Sequence, residues 1–162
     1  MRRLTGTAAF IASLLLITAS TQALRAAEAE APKFIAPSDL VWNDIKTLPP
    51  GAQLTVIEGP LNTKTPFIFR IKFRPGWKVP PHMHSVLTHV TVISGKFNIG
   101  VGDKFDASKT HAMSPGSVVL LPPGEPHFAW IDEETVIQVN SIGPWDTKWV
   151  DPNDDPANKK TN

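Results

Sequence analysis

From Pro66 to Phe73 the chain alternates, with Phe67, Phe69, Ile71 and Phe73 on one face and Ile68, Arg70 and Lys72 on the other. A side-chain period of two marks a strand with one buried face. Arg74-Pro75-Gly76 ends the run. The same pattern predicts strands over 86–93, 96–101, 116–121, 126–131 and 134–140, and a first short one over 54–57 ahead of Gly59-Pro60. Glycine or proline stands at most of the junctions. Strands this short and this evenly spaced point to an all-β sandwich or barrel. No segment after the N-terminal region carries a helical period, and no internal repeat is visible.

The two ends depart from this pattern. Arg2 and Arg3 precede an apolar run from Ala8 to Ala19, and small residues follow, with Ala23, Ala27 and Ala29 each suited to the position before a cleavage point. Positive start, short apolar run and small residues form the pattern of a secretory signal, expected over 1–29 with cleavage between 23 and 29. The run is shorter than the roughly 20 residues of a bilayer span. No stable membrane span is therefore expected after cleavage, the alternative being an uncleaved anchor. Localisation would be periplasmic or secreted. Residues 30–50 read as an N-terminal arm, 51–150 as the barrel, and 151–162 as a flexible polar tail. Trp145 and Trp149 are placed to pin the chain ahead of that tail to the body.

Composition then narrows the chemistry. The 162 residues contain no cysteine, which excludes disulfides, thiolate nucleophiles and zinc–thiolate sites. A cysteine-free chain suits an oxidising compartment. There is no tyrosine, so no tyrosine base or phenolate ligand. The formal charge of +1 comes without a concentrated basic face, which argues against a nucleic-acid partner.

All five histidines lie between positions 82 and 127. His82 and His84 are two apart, so on a strand both imidazoles point the same way. His127 follows the Pro122-Pro123-Gly124-Glu125-Pro126 turn. If its strand faces that of His82, three imidazoles converge, a ligand set used by Zn, Fe, Cu, Ni and Mn. Taken alone, an H-x-H pair reads equally well as two surface or core histidines. His111 sits in a polar stretch, Asp106 to Gly116, and reads as a solvated loop residue. By parity with His127, Ala129 and Ile131 point inward, and Phe128 and Trp130 face the other side of their sheet, to pack against the arm or a second subunit.

The residues around these histidines carry a family resemblance. Gly76 to Gly95 reads G-WKVPP-H-M-H-SVL-T-HVTVIS-G, and Gly116 to Ile131 reads G-SVVLL-P-P-G-EP-H-FAW-I. In that order, about twenty residues apart, they resemble the two motifs of the cupins, and the likeness extends over roughly 50–150. The resemblance implies a cupin-type double-stranded β-helix, or jelly-roll, barrel. It also implies a divalent metal held by the histidines at His82, His84 and His127. The motif's fourth ligand is a glutamate, and here that position is Thr88. A neutral hydroxyl is a poor ligand. His89, the next residue, is a possible replacement, although strand parity turns it away unless a bulge intervenes.

Without the carboxylate, three neutral imidazoles leave a divalent ion its full charge. This favours an anionic, oxygen-chelating small molecule as substrate. Open coordination positions allow Lewis-acid polarisation or an activated water. With iron, a three-histidine cupin site also suits a dioxygenase, and other cupins are isomerases. The alternative reading is a non-catalytic small-molecule or metal-binding sensor, consistent with Thr88 and with the lack of an evident general base: Glu125, Asp103 and Asp106 lie in turns. A metal-free structural barrel is the third reading. The cofactor is expected to be Fe, Zn, Mn, Ni or Cu, and the partners a small molecule and a second copy in a homodimer. Phe34 to Val41 is the candidate segment for that pairing.

Overall fold

In the computed structural model, residues 31–45 and 51–158 are described. The chain divides into a unit up to Phe34 and a unit from Ile35 onward, and the barrel is the second. The expected signal segment, 1–29, lies outside the described residues. Among the described residues no helix is long and apolar enough to cross a membrane.

Among the described residues eleven strands run β1 (Asn43–Asp44), β2 (Ala52–Glu58), β3 (Pro66–Phe73), β4 (Lys78–Met83), β5 (Thr88–Ser94), β6 (Phe97–Val101), β7 (His111–Met113), β8 (Val118–Leu121), β9 (His127–Ile131), β10 (Thr135–Ile142) and β11 (Lys148–Trp149). One sheet has the order β1-β2-β3-β10-β5-β8, the other β11-β4-β9-β6-β7. Every pairing is antiparallel. This is the expected all-β jelly-roll barrel.

The alternation that identified the strands builds the core. Phe67, Phe69 and Phe73 of β3 are buried, as are Ile137 and Val139 of β10 beside them. The register pairs Phe69 with Val139 and Ile71 with Ile137, so the apolar faces coincide. From the other sheet Phe97, Ile99, Ala129 and Ile131 join the same cluster. Burying a side chain of this size stabilises the fold by about 1.5–3 kcal/mol, and the two sheets achieve this only by facing each other.

Two glycines hold corners of the barrel, Gly124 beside His84 and Gly95 at the other end of β5. Gly95, between β5 and β6, has φ +74, and a Cβ there would strike the Glu134 carbonyl and Thr135. Gly124, in the turn before β9, has φ +77. Both conformations favour glycine over any residue with a side chain.

The strands added by the structure are those the hydrophobic pattern hides. β4 contains Pro80 and Pro81, and its pairing with β9 shifts register between Val79 and His82. β7, β1 and β11 are three residues or fewer. The stretch read as a polar loop around His111 thus pairs with β6. At the C-terminus, where a loose tail was expected, Pro152–Asp154 and Pro156–Asn158 form 3-10 turns. Phe128 and Trp130 face away from the core, and Phe105 and Thr110 meet them there. The Phe128 and Phe105 rings lie 5.2 Å apart, and the Trp130 indole N–H donates to the Thr110 hydroxyl at 3.1 Å.

Candidate metal centre

His82 lies near the end of β4, and the antiparallel register sets it directly across from His127, the first residue of β9. His84 stands one residue beyond β4. All three are buried. One ring nitrogen of each lies within 4.8 Å of those of the other two, and the ring centroids are 4.3 Å (His82–His127), 5.0 Å (His82–His84) and 5.1 Å (His84–His127) apart. The three residues read from the sequence therefore converge.

Their protonation is set by backbone carbonyls. Nδ1 of His82 lies 2.8 Å from the Pro80 carbonyl oxygen, Nδ1 of His127 lies 2.9 Å from that of Glu125, and Nδ1 of His84 lies 2.7 Å from that of Asp146. A carbonyl only accepts, so each Nδ1 carries the proton and each Nε2 keeps its lone pair. Burial, reinforced by the neighbouring His127 and His84 rings, pushes the His82 imidazole down to about 3. Burial likewise lowers His84 to about 4, against the opposing pull of the Asp146 carbonyl, and lowers His127. All three rings are neutral near pH 7, which is the form that binds a metal.

The Asp146 region supports this arrangement and was not legible as part of the site. The Asp146 carboxylate accepts from the Ser85 amide at 2.7 Å and the Ser85 hydroxyl at 2.6 Å, so it grips the chain immediately after His84 while its carbonyl holds the ring. Burial opposes ionisation of Asp146, but the two Ser85 bonds and Lys148, 3.6 Å away, outweigh it and lower its pKa. Trp145 stacks on His84 with centroids 3.9 Å apart and presents its edge to Phe67 and Phe69. Trp149 packs against His82 at 5.4 Å. Both tryptophans thus pin the chain to the body, as expected.

Thr88 is buried and lines the cavity beneath the histidines, but its hydroxyl donates to the Val86 carbonyl at 3.1 Å. His89 is not brought to the cluster. It is exposed on the opposite face of β5, paired with Leu120 on one side and Asn140 on the other. His111 is exposed on β7.

The imidazoles open into a cavity of about 620 Å³ between the two sheets. Its walls are chiefly apolar, with Phe69, Ile71, Phe73, Val90 and Val139 from one sheet and Phe97, Ile99 and Ala129 from the other. A divalent transition metal fits this set of residues: three neutral nitrogen donors with fixed tautomers, orientation from carbonyls behind them, and an apolar wall on the far side.

Residues 69–140 match the family model described as Cupin domain. Germin-like proteins 3-5 and 3-6 of Oryza sativa subsp. japonica are each 28% identical to the chain over 141 residues, which cover 79% of this chain and 62% of theirs. The chain thus spans about three fifths of the length of the curated relatives it matches. Among solved structures, the polyketide cyclase RemF from Streptomyces resistomycificus aligns with a TM-score of 0.64 at 20% identity, over 78% of this chain and 90% of its own. A variant of salicylate 1,2-dioxygenase from Pseudoaminobacter salicylatoxidans, in complex with gentisate, aligns with a TM-score of 0.53 at 16% identity, over 63% of this chain and 30% of its own. At these identities the likeness to the solved structures is one of fold.

Proposed function

We propose that this chain, a barrel of the cupin fold, holds a divalent transition metal on His82, His84 and His127 and acts through it on a small oxygen-chelating molecule. The observation that carries this reading is the matched set of three Nδ1–H to carbonyl contacts, which leaves three Nε2 lone pairs in one buried cluster. Fe, Zn, Mn, Ni and Cu all accept such donors. When bound, the metal supplies Lewis-acid polarisation of a chelating oxygen or an activated water and, as Fe(II), chemistry with O₂. The chain's own residues do the rest. The three imidazoles hold the ion without neutralising it, because Thr88 stands where a carboxylate would. The apolar wall excludes water and raises the strength of every charge interaction at the ion. We place the enzyme among dioxygenases or isomerases, and the solved neighbours that include a cyclase and a gentisate-bound dioxygenase support a small organic substrate.

Export to the periplasm or beyond belongs to the same proposal, resting on Arg2, Arg3 and the apolar run from Ala8 to Ala19. So does pairing as a homodimer, supported by exposed apolar side chains such as Val41 in the arm and Leu120 on the sheet edge. A second reading, a non-catalytic binder or sensor, is favoured by one observation. Among the described residues lining the cavity the only carboxylates are Asp154 and Asp155, which leaves no evident general base beside the histidines. Loading the metal-free protein separately with Fe(II), Zn, Mn, Ni and Cu and following O₂ uptake and the ultraviolet spectrum of a chelating enol or diketone separates the two. Turnover with one of the metals is the expected result. Full metal occupancy with no turnover across the panel establishes the binder.

A further inference from the structure

We infer that the ligand of this cavity is an apolar, ring-sized molecule with a single oxygen-chelating end and no second anionic group; the chelating end rests on the metal reading above, the apolar body does not. Size is the first argument. A space of about 620 Å³ lies in the range that encloses drug-sized organic molecules and far exceeds what a two-carbon diacid fills. The walls are the second. Phe69, Phe73, Phe97, Ile71, Val90 and Ile137 line it, and nothing among them solvates a charge.

Charge is the third. Among the described lining residues the one lysine or arginine is Lys78, whose ammonium sits 5.3 Å over the Phe105 ring. Phe105 packs on Phe128, which alternates with the inward His127 and Ala129 and so faces the outside of its sheet. The cation therefore points away from the cavity. The remaining fixed charges are negative. Asp154 and Asp155, both half-buried, come from the 3-10 turns of the C-terminal segment and line the same space. That segment is held in shape by its own caps: the Asp151 carboxylate accepts from the Asn153 amide and the Asp155 carboxylate from the Ala157 amide, each at 2.9 Å. An anion at the metal end would be met by the ion, but a second anionic group elsewhere on the ligand would meet hydrocarbon and the negative charge of the Asp154–Asp155 segment, with no cation turned toward it. This revises the expectation of a simple anionic substrate drawn from the ion's charge alone.

Three tryptophans lining the cavity, Trp77, Trp145 and Trp149, report binding without any turnover. The test titrates zinc-loaded protein with 1-phenyl-1,3-butanedione and with oxalate, and metal-free protein with 2-naphthol and 2-naphthalenesulfonate, following tryptophan quenching. The dione is expected to bind at least about tenfold more tightly than oxalate. Naphthol is expected to bind the metal-free protein and the sulfonate to bind at least several-fold more weakly. Asp154→Lys is expected to narrow that second gap, read as the ratio of the naphthol and sulfonate affinities measured in the same variant. Oxalate binding as tightly as the dione, or naphthol failing to bind, overturns the inference. Naphthol binding to a protein that takes up no zinc upholds the apolar ligand and removes the metal reading instead.

Discussion

His82 and His127 share a local device. Each follows a proline, and each gives its Nδ1 proton to the carbonyl two residues back, Pro80 in one case and Glu125 in the other. Proline fixes φ near −65° and holds the preceding residue extended, so the carbonyl is aimed before the ring arrives. This x-Pro-His triplet is readable in the sequence once its purpose is known. His84 follows Met83 and has no such partner, so it takes its carbonyl from Asp146, which is 62 residues away in the chain and beyond any local pattern. Asp146→Asn should keep the carbonyl but weaken the carboxylate's grip on Ser85. Metal affinity, measured by isothermal titration, should fall about 10- to 100-fold, the usual cost of losing a group behind a ligand. Ser85→Ala should produce a smaller loss in the same direction. The buried rings also carry a pH signature. Their folded-state pKa values lie below the ordinary 6.5, at about 3 for His82 and about 4 for His84, so protons bind the unfolded chain more readily. The stability of the metal-free protein should be fully present above about pH 6.5 and fall as pH drops toward 4 and 3. Between pH 7 and 5 the loss should be roughly 2 kcal/mol for each of these two rings, read from urea midpoints. A midpoint that is flat over this range would show that the imidazoles are not buried as neutral rings.

At the scale of elements, period-two strands with one dry face were legible and strands without that pattern were not. β3 and β10 match the alternation closely because both are central in their sheet and pack Phe67, Phe69, Val139 and Ile137 inward. β4 was hidden although it carries His82: Pro80 and Pro81 remove two amide donors and accompany a register shift against β9. Parity turned His89 outward correctly because β5 runs without a bulge from Thr88 to Thr91. The C-terminal turns were missed because their cohesion comes from aspartate caps and prolines, a composition that also describes loose chain. The turn at Gly95 offers a test of the corner between β5 and β6. Gly95→Ala places a Cβ against the Glu134 carbonyl and Thr135 at a positive φ, and should cost on the order of 1–3 kcal/mol in urea unfolding.

At the scale of the whole molecule, the barrel puts three neutral imidazoles and a chiefly apolar cavity in one space between its two sheets. The hydrophobic faces that make the two sheets associate also form the wall of the cavity, so fold stability and ligand selectivity draw on the same side chains. That coupling explains why the sequence revealed the architecture and the three histidines that converge but left the character of the proposed small molecule open. Motif spacing specifies which residues meet, whereas Lys78 turned toward Phe105 and Asp154 brought to the cavity lining are visible only once the chain is folded. The proposed function requires the three imidazoles to act as one metal site. The most direct measurement is metal content per chain by mass spectrometry, after loading and exhaustive desalting, for the native sequence and for His127→Ala with folding confirmed by circular dichroism. The native protein should retain about one divalent transition-metal ion per chain, and the folded variant less than about a tenth of that. Equal retention by both, or none by either, would contradict it.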